Sequence, residues 1–328
     1  PADPAVDFAP GGRDLVLVGD RGEIVDESTG RVVRRFPGFP AESVFNTCNS
    51  ACFAASPGLR WLTYLDPSSK SPRIIEIEGR TGRRVAAVTV PRLDAQGVAP
   101  DGRIAVAYVD GDRLHAGLID PRSGAVRDLQ TGASSAGCAA TTPSFAPGSR
   151  LMAISDGCLN VVVWNLQTGH VTRTITLPDR AAGSGALLSP GGRYVLVAVL
   201  GGAFVRVDLA SGRAVEVPGA QTEGNVLAVS PDGRFYAIGR QDGTVDEYDA
   251  RSLQLVRQHT IDSAIQTLVF SPDSRELAVE DTSHVLWVWD TCDVCEDATR
   301  LSELAARESV RALTPGERAT FDVAPSSR

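Results

Sequence analysis

The stretch that decides the fold is Leu227-Ala228-Val229-Ser230-Pro231-Asp232-Gly233-Arg234-Phe235-Tyr236-Ala237-Ile238, in which a Ser-Pro-Asp-Gly-Arg turn joins two short apolar segments. Proline fixes φ at the first corner of such a turn, and aspartate and glycine tolerate the tight return. The flanking segments have the length and the residue types of β-strands. The stretch therefore predicts a β-hairpin.

The same turn occurs seven times along the chain, and its prolines stand 41 to 47 residues apart. The copies are Ala9–Arg13, Ser56–Arg60, Ala99–Arg103, Ala146–Arg150, Ser189–Arg193, Ser230–Arg234 and Ser271–Arg275. Self-similarity at a fixed period is the signature of a repeat protein, in which each unit packs against its neighbours.

A second signature follows the first in every unit: an apolar residue, then a short polar or acidic residue, and in most units a glycine soon after. It is present in Val25-Asp26, Ile77-Glu78, Ile119-Asp120, Trp164-Asn165 and Val207-Asp208, and without the glycine in Tyr248-Asp249 and Trp289-Asp290. We interpret it as the end of a third strand and the turn into a fourth. Four strands in about 43 residues match the period of one propeller blade.

These repeats resemble the WD40 family over about residues 5 to 290, and two units end their third strand in Trp289-Asp290 or the related Trp164-Asn165. The resemblance implies an all-β fold, a seven-bladed WD40-like β-propeller. The Gly-His pair is missing from its standard position in the repeats. We therefore expect blades held mainly by packed apolar strands.

The C-terminal residues, Trp287 to Cys295 and then Leu301 to Arg318, resemble the ending of WD40 domains in large actinobacterial signalling proteins. In that family the propeller follows a STAND-type NTPase, which implies an upstream domain as partner. The chain has no Gly-x-x-x-x-Gly-Lys motif, so any such NTPase is expected to lie outside it.

Two domains are predicted: a propeller over 1–290 and an extension over 291–328 that contains a Cys-x-x-Cys loop and an amphipathic helix at about 298–313. Unit seven supplies only three strands, so either the blade stays three-stranded or upstream chain completes it. We expect the helix to cover the open edge, because bare strand edges invite aggregation.

Composition and charge narrow the function. The net charge is −8 and the arginines are scattered, whereas a nucleic-acid groove needs clustered positive charge. No run approaches the roughly 18 apolar residues of a membrane helix. No cofactor motif or paired metal ligands stand out, and none is predicted. A cytoplasmic location is expected, or a secreted one if the cysteines are paired.

The six cysteines form three candidate pairs. Cys138 precedes the inner strand of unit four and Cys158 ends its second strand, so both are expected at one rim, as a disulfide or as two packed thiols. A local bridge is the candidate for Cys48 with Cys52. The lone Cys292-x-x-Cys295 is a weak metal or redox signal without further ligands, so a structural hairpin or local disulfide is favoured over a metal site.

Three segments are longer than a turn requires: 37–51, 65–72 and 130–142. Loops on a rigid scaffold are where binding residues concentrate. The candidate binding face comprises Phe39, Phe45, Phe53, Asp66, Lys70, Asp112, Asp156, Arg240 and Asp281. Two structural alternatives stay open: the phenylalanines pack the loops down, and the aspartates suit tight turns.

The favoured function is a non-enzymatic scaffold or sensor that binds a protein partner or a small ligand and belongs to a larger signalling protein. The alternative is a stand-alone or secreted propeller enzyme, a hydrolase or lyase, for which the sequence offers few convergent histidines, glutamates or metal ligands. A structural subunit that assembles through its blade edges is a third interpretation.

Overall fold

The computed structural model describes residues 5–8, 14–18, 22–26, 29–35, 53–56, 60–66, 69–79, 81–134, 137–146, 150–177, 182–199, 203–217 and 226–291. Within these ranges the chain forms antiparallel sheets, and the only helical element is the 3-10 turn Pro190–Gly192. No helix in this part of the chain has the length and apolar character to span a bilayer. The prediction of an all-β fold is confirmed.

Seven sheets, numbered in chain order, make up the described part of the chain. Sheet 1 contains β1 (Ala5–Phe8), β2 (Asp14–Val18), β3 (Gly22–Asp26) and β4 (Val32–Arg35). Sheet 2 contains β5 (Phe53–Ala55), β6 (Trp61–Leu65), β7 (Arg73–Glu78) and β8 (Arg84–Thr89). Sheet 3 contains β9 (Ala95–Val98), β10 (Ile104–Asp110), β11 (Arg113–Ile119), β12 (Val126–Asp128) and the short β13 (Gly132–Ala133).

The remaining sheets follow the same plan. Sheet 4 contains β14 (Ser144–Phe145), β15 (Leu151–Ser155), β16 (Asn160–Asn165) and β17 (Val171–Thr176). Sheet 5 contains β18 (Ala182–Leu188), β19 (Tyr194–Val199), β20 (Phe204–Asp208) and β21 (Ala214–Glu216). Sheet 6 contains β22 (Val226–Val229), β23 (Phe235–Gly239), β24 (Thr244–Asp249) and β25 (Leu255–Thr260). Sheet 7 contains β26 (Ile265–Phe270), β27 (Glu276–Asp281) and β28 (Leu286–Asp290).

Strand order equals chain order in every sheet, except that β13 pairs with β11 beside the main path of sheet 3. Consecutive strands are therefore joined as hairpins. Three strands are described for sheet 7, as expected for unit seven. The predicted helix at 298–313 and the extension from Cys292 onward lie outside the described residues, and how sheet 7 is completed stays a prediction.

The Ser-Pro turn between the first and second strands is fixed by its serine. In four units this serine is buried, and a buried hydroxyl needs a hydrogen-bond partner. The hydroxyl oxygen accepts a hydrogen bond of 2.9 Å from a backbone N–H five residues on: Ser56 from Trp61, Ser189 from Tyr194, Ser230 from Phe235 and Ser271 from Glu276. The motif thus ties the start of the second strand to the end of the first.

The turn between the third and fourth strands needs a left-handed residue. In sheet 5 the carboxylate of Asp208 accepts hydrogen bonds from the backbone and hydroxyl of Ser211, and Gly212 follows at φ +76°. Glycine adopts this conformation without a Cβ penalty. In sheet 6 Leu253 stands at the same place with φ +61°, which explains why the turn persists where the glycine of the sequence signature is missing.

Neighbouring sheets bury both faces of their central strands, as β16 illustrates. Val161 and Val163 pack against sheet 5, whereas Val162 and Trp164 pack against sheet 3. Because side chains alternate along a strand, a strand covered on both faces is apolar without alternation. This packing accounts for the run Val161–Trp164.

The first and the last described sheets also meet. β1 contacts β26 and β27. Phe8 and Leu15 of sheet 1 share a buried cluster with Ala278 of sheet 7, against which Val288 also packs. Each sheet in the series therefore has a packed neighbour, and sheet 1 is covered by sheet 7.

One ionisable side chain interrupts the apolar interface between sheets 6 and 7. Glu247 of β24 is 0% exposed, and within the described residues neither of its carboxylate oxygens has a hydrogen-bond partner. His259 Nε2 lies 3.9 Å from Glu247 Oε1, and the His259 ring stacks on Trp289. Burial raises the pKa of Glu247 to about 7, against the attraction of Arg257.

Replacing Glu247 with glutamine is expected to stabilise the protein at alkaline pH. In the folded state Glu247 keeps its proton until about pH 7, whereas the ordinary pKa is 4.5. Its stabilising contribution is therefore full below pH 4.5 and is lost as the pH rises through about 7. The shift corresponds to roughly 3 kcal/mol at most. Urea unfolding of wild type and Glu247→Gln from pH 4 to pH 9 measures the difference.

The variant should gain stability over wild type above about pH 7, and the two should converge in acid. The exposed Glu216→Gln variant controls for the substitution itself. A constant difference across the whole pH range would contradict burial of a titrating carboxyl group.

Candidate functional site

Several predicted binding residues fall where the structure gives no side-chain placement. Phe39, Phe45, Cys48, Cys52, Cys292 and Cys295 lie outside the described residues. Phe53 begins β5, and its backbone alone is described. An aromatic anchor on the long loops therefore stays a prediction.

Three other predicted residues lie on partly or fully exposed loops. Asp66 follows β6, and its Oδ2 atom is 3.6 Å from Arg73 Nη1. Lys70 is exposed. The Asp112 side chain is 85% exposed, with Oδ1 3.9 Å from Arg113 Nε. Exposed ion pairs at these distances contribute little to stability, so these side chains are accessible to a ligand without defining a site.

The remaining predicted residues serve their own loops. The buried Asp156 accepts hydrogen bonds from the backbone N–H groups of Cys158 and Asn160, both at 2.9 Å. Asp281 likewise accepts from the loop that follows β27, through Ser283 N at 2.8 Å. This arrangement favours the turn interpretation of the recurring aspartates over a ring of ligand-binding carboxylates.

Arg240 belongs to the same group of internal contacts. Its guanidinium forms a hydrogen-bonded ion pair with Asp246, whose side chain is buried, and the Arg240 side chain is only 14% exposed. A charge buried in this way needs a partner to offset its desolvation. The pairing gives Arg240 a structural role in sheet 6.

Cys138 and Cys158 are joined by a disulfide, with their Cα atoms 5.9 Å apart. Cys138 lies in the loop that leads into β14, and Cys158 lies in the loop between β15 and β16. The sequence leaves open a disulfide or two packed thiols at this pair, and the structure has the disulfide. Both loops belong to sheet 4 and meet at one rim.

The residue that sequence analysis missed is Glu76, at the centre of β7. It stands two residues before the acidic residue of the third turn. At the equivalent position four units have an apolar residue: Ile24, Leu118, Val163 and Val288. The other three have Glu76, Arg206 and Glu247. The available signal was a glutamate inside the apolar run Ile74-Ile75-Glu76-Ile77.

Glu76 is buried without compensation. It is 1% exposed, and no hydrogen-bond partner for either carboxylate oxygen is found among the described residues. Burial raises its pKa to about 7; the positive charge of Arg122 acts against this rise, and the negative charge of Asp120 adds to it. The carboxyl group therefore exchanges its proton near neutral pH.

Unlike a core residue, Glu76 lines a partly open cleft of about 170 Å³ between sheets 2 and 3. The cleft lies at the edge where the first and third turns of sheet 3 emerge. Its lining is Trp61, Glu76, Val85, Asp101, Gly102, Arg103, Asp120, Pro121 and Arg122. The volume suits a small group rather than a whole drug-sized ligand.

The walls of the cleft are held by local contacts. Gly102 sits at φ +88°, and a Cβ atom there would lie 2.8 Å from Nε1 of Trp61. Only glycine lets the turn approach the indole so closely. Within that turn Arg103 Nη2 lies 2.7 Å from Asp101 Oδ2, so the turn presents a closed ion pair.

The opposite wall carries an ionised carboxylate. Asp120 Oδ1 accepts hydrogen bonds from the backbone N–H groups of Arg122 at 2.8 Å and Ser123 at 3.2 Å. These bonds hold the pKa of Asp120 below its ordinary value. The pKa of Glu76 is thus raised while that of Asp120 is lowered. In enzymes, opposite shifts of two neighbouring carboxyl groups separate the acid from the base.

The described residues contain no group of three or more His, Cys, Asp or Glu side chains arranged to hold a metal ion. The chemistry that the cleft itself supplies is proton transfer by Glu76 beside the cationic Arg122. A titratable group in a cleft whose pKa lies near the working pH is a functional-site candidate on physical grounds.

Comparisons with known proteins bear on the fold. No protein-family model matches the chain. Eukaryotic translation initiation factor 3 subunit I from Emericella nidulans is 27% identical over 149 residues, which span 40% of this chain and 44% of that protein. The chain therefore matches less than half of the length of this curated relative.

Hydrazine synthase from Kuenenia stuttgartiensis has a similar structure, with a TM-score of 0.66 at 15% identity over 88% of this chain and 95% of that chain. Together with the sheets described above, these likenesses fit a WD40-type, propeller-like fold. At this level of identity the structural likeness shows the fold alone.

The structural likeness also corrects the functional prediction. The sequence predicts a non-enzymatic scaffold or sensor with a WD40-like fold. A chain of similar fold that is matched over most of its length belongs to hydrazine synthase, an enzyme, so the prediction of a non-enzymatic scaffold is wrong. The prediction also rested on a lack of convergent acid–base groups, and it overlooked Glu76.

Proposed function

We propose that the chain is a seven-bladed propeller enzyme of the hydrolase or lyase class, with Glu76 as its acid–base group in the cleft between sheets 2 and 3. The observation that carries the proposal concerns Glu76: its carboxyl group is buried without a hydrogen-bond partner in the described residues, and the residue is one of those that line a cleft open to a small ligand.

The seven-bladed arrangement is supported by the order of the sheets. Seven sheets follow in sequence, and the first packs against the last through Phe8 and Ala278. A series of sheets whose ends meet has the neighbour relations of a closed ring. Ring closure also protects sheet edges and faces that would otherwise be exposed.

The repeat supplies an internal argument that Glu76 serves function. Four units place an apolar side chain at this position, so the fold does not require a carboxyl group there. Burying one without a hydrogen-bond partner costs several kcal/mol, and no hydrogen bond in the described residues offsets that cost. Uncompensated polar groups of this kind concentrate at catalytic sites, where other parts of the fold carry the cost.

The pKa of Glu76 suits proton transfer. General acid–base catalysis works best when the pKa of the catalytic group lies near the operating pH, and burial places the pKa of Glu76 at about 7. Glu247 has the same repeat position, burial and pKa direction, but it faces His259 and is not among the residues of the cleft. It therefore provides a matched control.

A secreted location accompanies the proposal. The Cys138–Cys158 disulfide supports an oxidising compartment, because such bridges persist outside the cytosol and are rare within it. The boundary at residue 290 and the resemblance of the C-terminal residues to actinobacterial STAND-type proteins stay predictions.

Loss of the disulfide is expected to destabilise the protein. Its cysteines are 20 residues apart, and closing a loop of this size stabilises a fold by about 2–4 kcal/mol. We expect the double variant Cys138→Ala/Cys158→Ala to lose that amount in urea unfolding. Reductant should destabilise wild type by a similar amount and leave the double variant nearly unchanged. Peptide mapping of exported protein that lacks the Cys138–Cys158 cross-link would contradict the assignment.

Substitution of Glu76 is expected to abolish activity. Wild type, Glu76→Gln and Glu247→Gln should be compared on nitrophenyl esters, nitrophenyl glycosides and carboxylates that carry a β-nitrophenoxy leaving group, between pH 5 and pH 9. We expect turnover by wild type with an inflection near pH 7, a loss of about 100-fold or more in Glu76→Gln, and wild-type rates in Glu247→Gln.

Two outcomes would overturn the proposal. One is turnover that Glu76→Gln retains. The other is the absence of turnover above the Glu76→Gln background on every probe while circular dichroism reports folded protein. Equal losses of turnover in Glu76→Gln and Glu247→Gln would contradict a specific role of Glu76, because they would reflect the removal of any buried carboxyl group.

A further inference from the structure

The two arginines of the Glu76 cleft are in different states. Arg103 is held by Asp101 through contacts of 2.7 and 2.9 Å from its guanidinium. Arg122 is exposed, and within the described part of the chain its guanidinium forms no ion pair. The only hydrogen bond described for Arg122 is donated by its backbone, to Asp120. Its side chain is therefore available to a ligand.

The turn does not require an arginine at this position. Arg122 lies two residues after the acidic residue of its turn, where other units have Gln167, Ala210 and Arg251. The turn forms in each of these units with the same backbone hydrogen bond, which the residue four positions after the polar residue donates to the carbonyl oxygen of that polar residue. The turn therefore forms without an arginine at this position, and Arg122 is the arginine at this position that lines the Glu76 cleft.

Arg122 and Glu76 act on the same small volume. Both line the cleft, and the positive charge of Arg122 favours the ionised form of Glu76. A guanidinium presents a planar fork of N–H donors that matches the two oxygens of a carboxylate. A carboxylate held by Arg122 would bring its neighbouring carbon towards the buried carboxyl group.

Resting on the function proposed above, we infer that the substrate bears a carboxylate, which Arg122 binds, and that the reaction is a β-elimination started by Glu76. The ionised Glu76 removes the proton from the carbon next to the substrate carboxylate. The C–H electron pair forms a carbon–carbon double bond, and the bond from the β-carbon to its oxygen leaving group breaks.

The step balances within the cleft. The electron pair of the broken C–O bond leaves with the oxygen, and the proton taken by Glu76 is returned to that oxygen. No oxidant, reductant or other co-reactant is consumed. Arg122 neutralises the negative charge that spreads onto the substrate carboxylate as the proton departs, which is the charge that needs stabilisation in the transition state.

The test uses two probes that differ in charge: propanoate with a nitrophenoxy group on the β-carbon, and the corresponding uncharged propanamide. Wild type, Arg122→Gln, Glu76→Gln and Arg251→Gln are assayed as the full chain for nitrophenolate release, and the coproduct is identified by proton NMR. Arg251 holds the same turn position in sheet 6 and is exposed, so it controls for loss of a surface arginine.

We expect wild type to release nitrophenolate and acrylate from the acid, at a rate that rises with pH through about 7. Arg122→Gln should lower kcat/KM for the acid by about 10- to 100-fold, the factor for losing a charged hydrogen-bonded pair. Its rate on the amide should stay unchanged. Arg251→Gln should behave as wild type on both probes.

The failures are distinguishable. If Glu76→Gln loses turnover but Arg122→Gln does not, or if acid and amide react equally, the carboxylate inference is overturned and the proposed function stands. A hydroxypropanoate coproduct would overturn the elimination step. Turnover that survives in Glu76→Gln would overturn the proposed function together with this inference.

Discussion

The structure depends on the burial of both faces of each central strand against the neighbouring sheets. In β16, Val162 and Trp164 face sheet 3 while Val161 and Val163 face sheet 5. Each sheet alone is too small to cover its own apolar surface, so the sheets are stable as a series. The contact of Phe8 and Leu15 with Ala278 extends this covering from the last described sheet to the first.

This apolar packing makes the charged residues inside the interfaces between sheets exceptional. An interface built on apolar burial penalises any charge placed inside it. Arg206 resolves the penalty by donating a hydrogen bond to the carbonyl of Ala250 and lying over the ring of Tyr194. The carboxylate of Glu247 lies 3.9 Å from the ring nitrogen Nε2 of His259. Glu76 has a cleft in place of a partner, and this difference singles it out among equivalent positions.

Much of the fold could be predicted from the sequence, because its turns require particular residues. Proline, aspartate and glycine are needed at fixed places in the hairpins, and the buried Ser230 is needed to close one of them. Packed strands explain the apolar runs. The sequence does not indicate how individual side chains are used: it predicts Asp156 and Asp281 on a binding face, whereas both accept hydrogen bonds from the backbone of their own loops.

The candidate site was less accessible to sequence reasoning. A glutamate at the centre of an apolar strand was visible, but its burial and its cleft depend on turns of the next sheet, more than 20 residues away. The absence of histidine pairs and serine motifs says nothing about a lone carboxyl group whose pKa is shifted by burial. The fold class does not decide between a scaffold and an enzyme, since one fold supports many functions.

The most direct test of this account is the ionisation of Glu76 itself. Carbon-13 NMR of protein labelled at glutamate side-chain carboxyl groups, with Glu76→Gln to assign the resonance, reports its titration midpoint. The account predicts a midpoint near pH 7, because burial disfavours the charged form. A midpoint close to 4.5, the ordinary value for a glutamate in water, would contradict it.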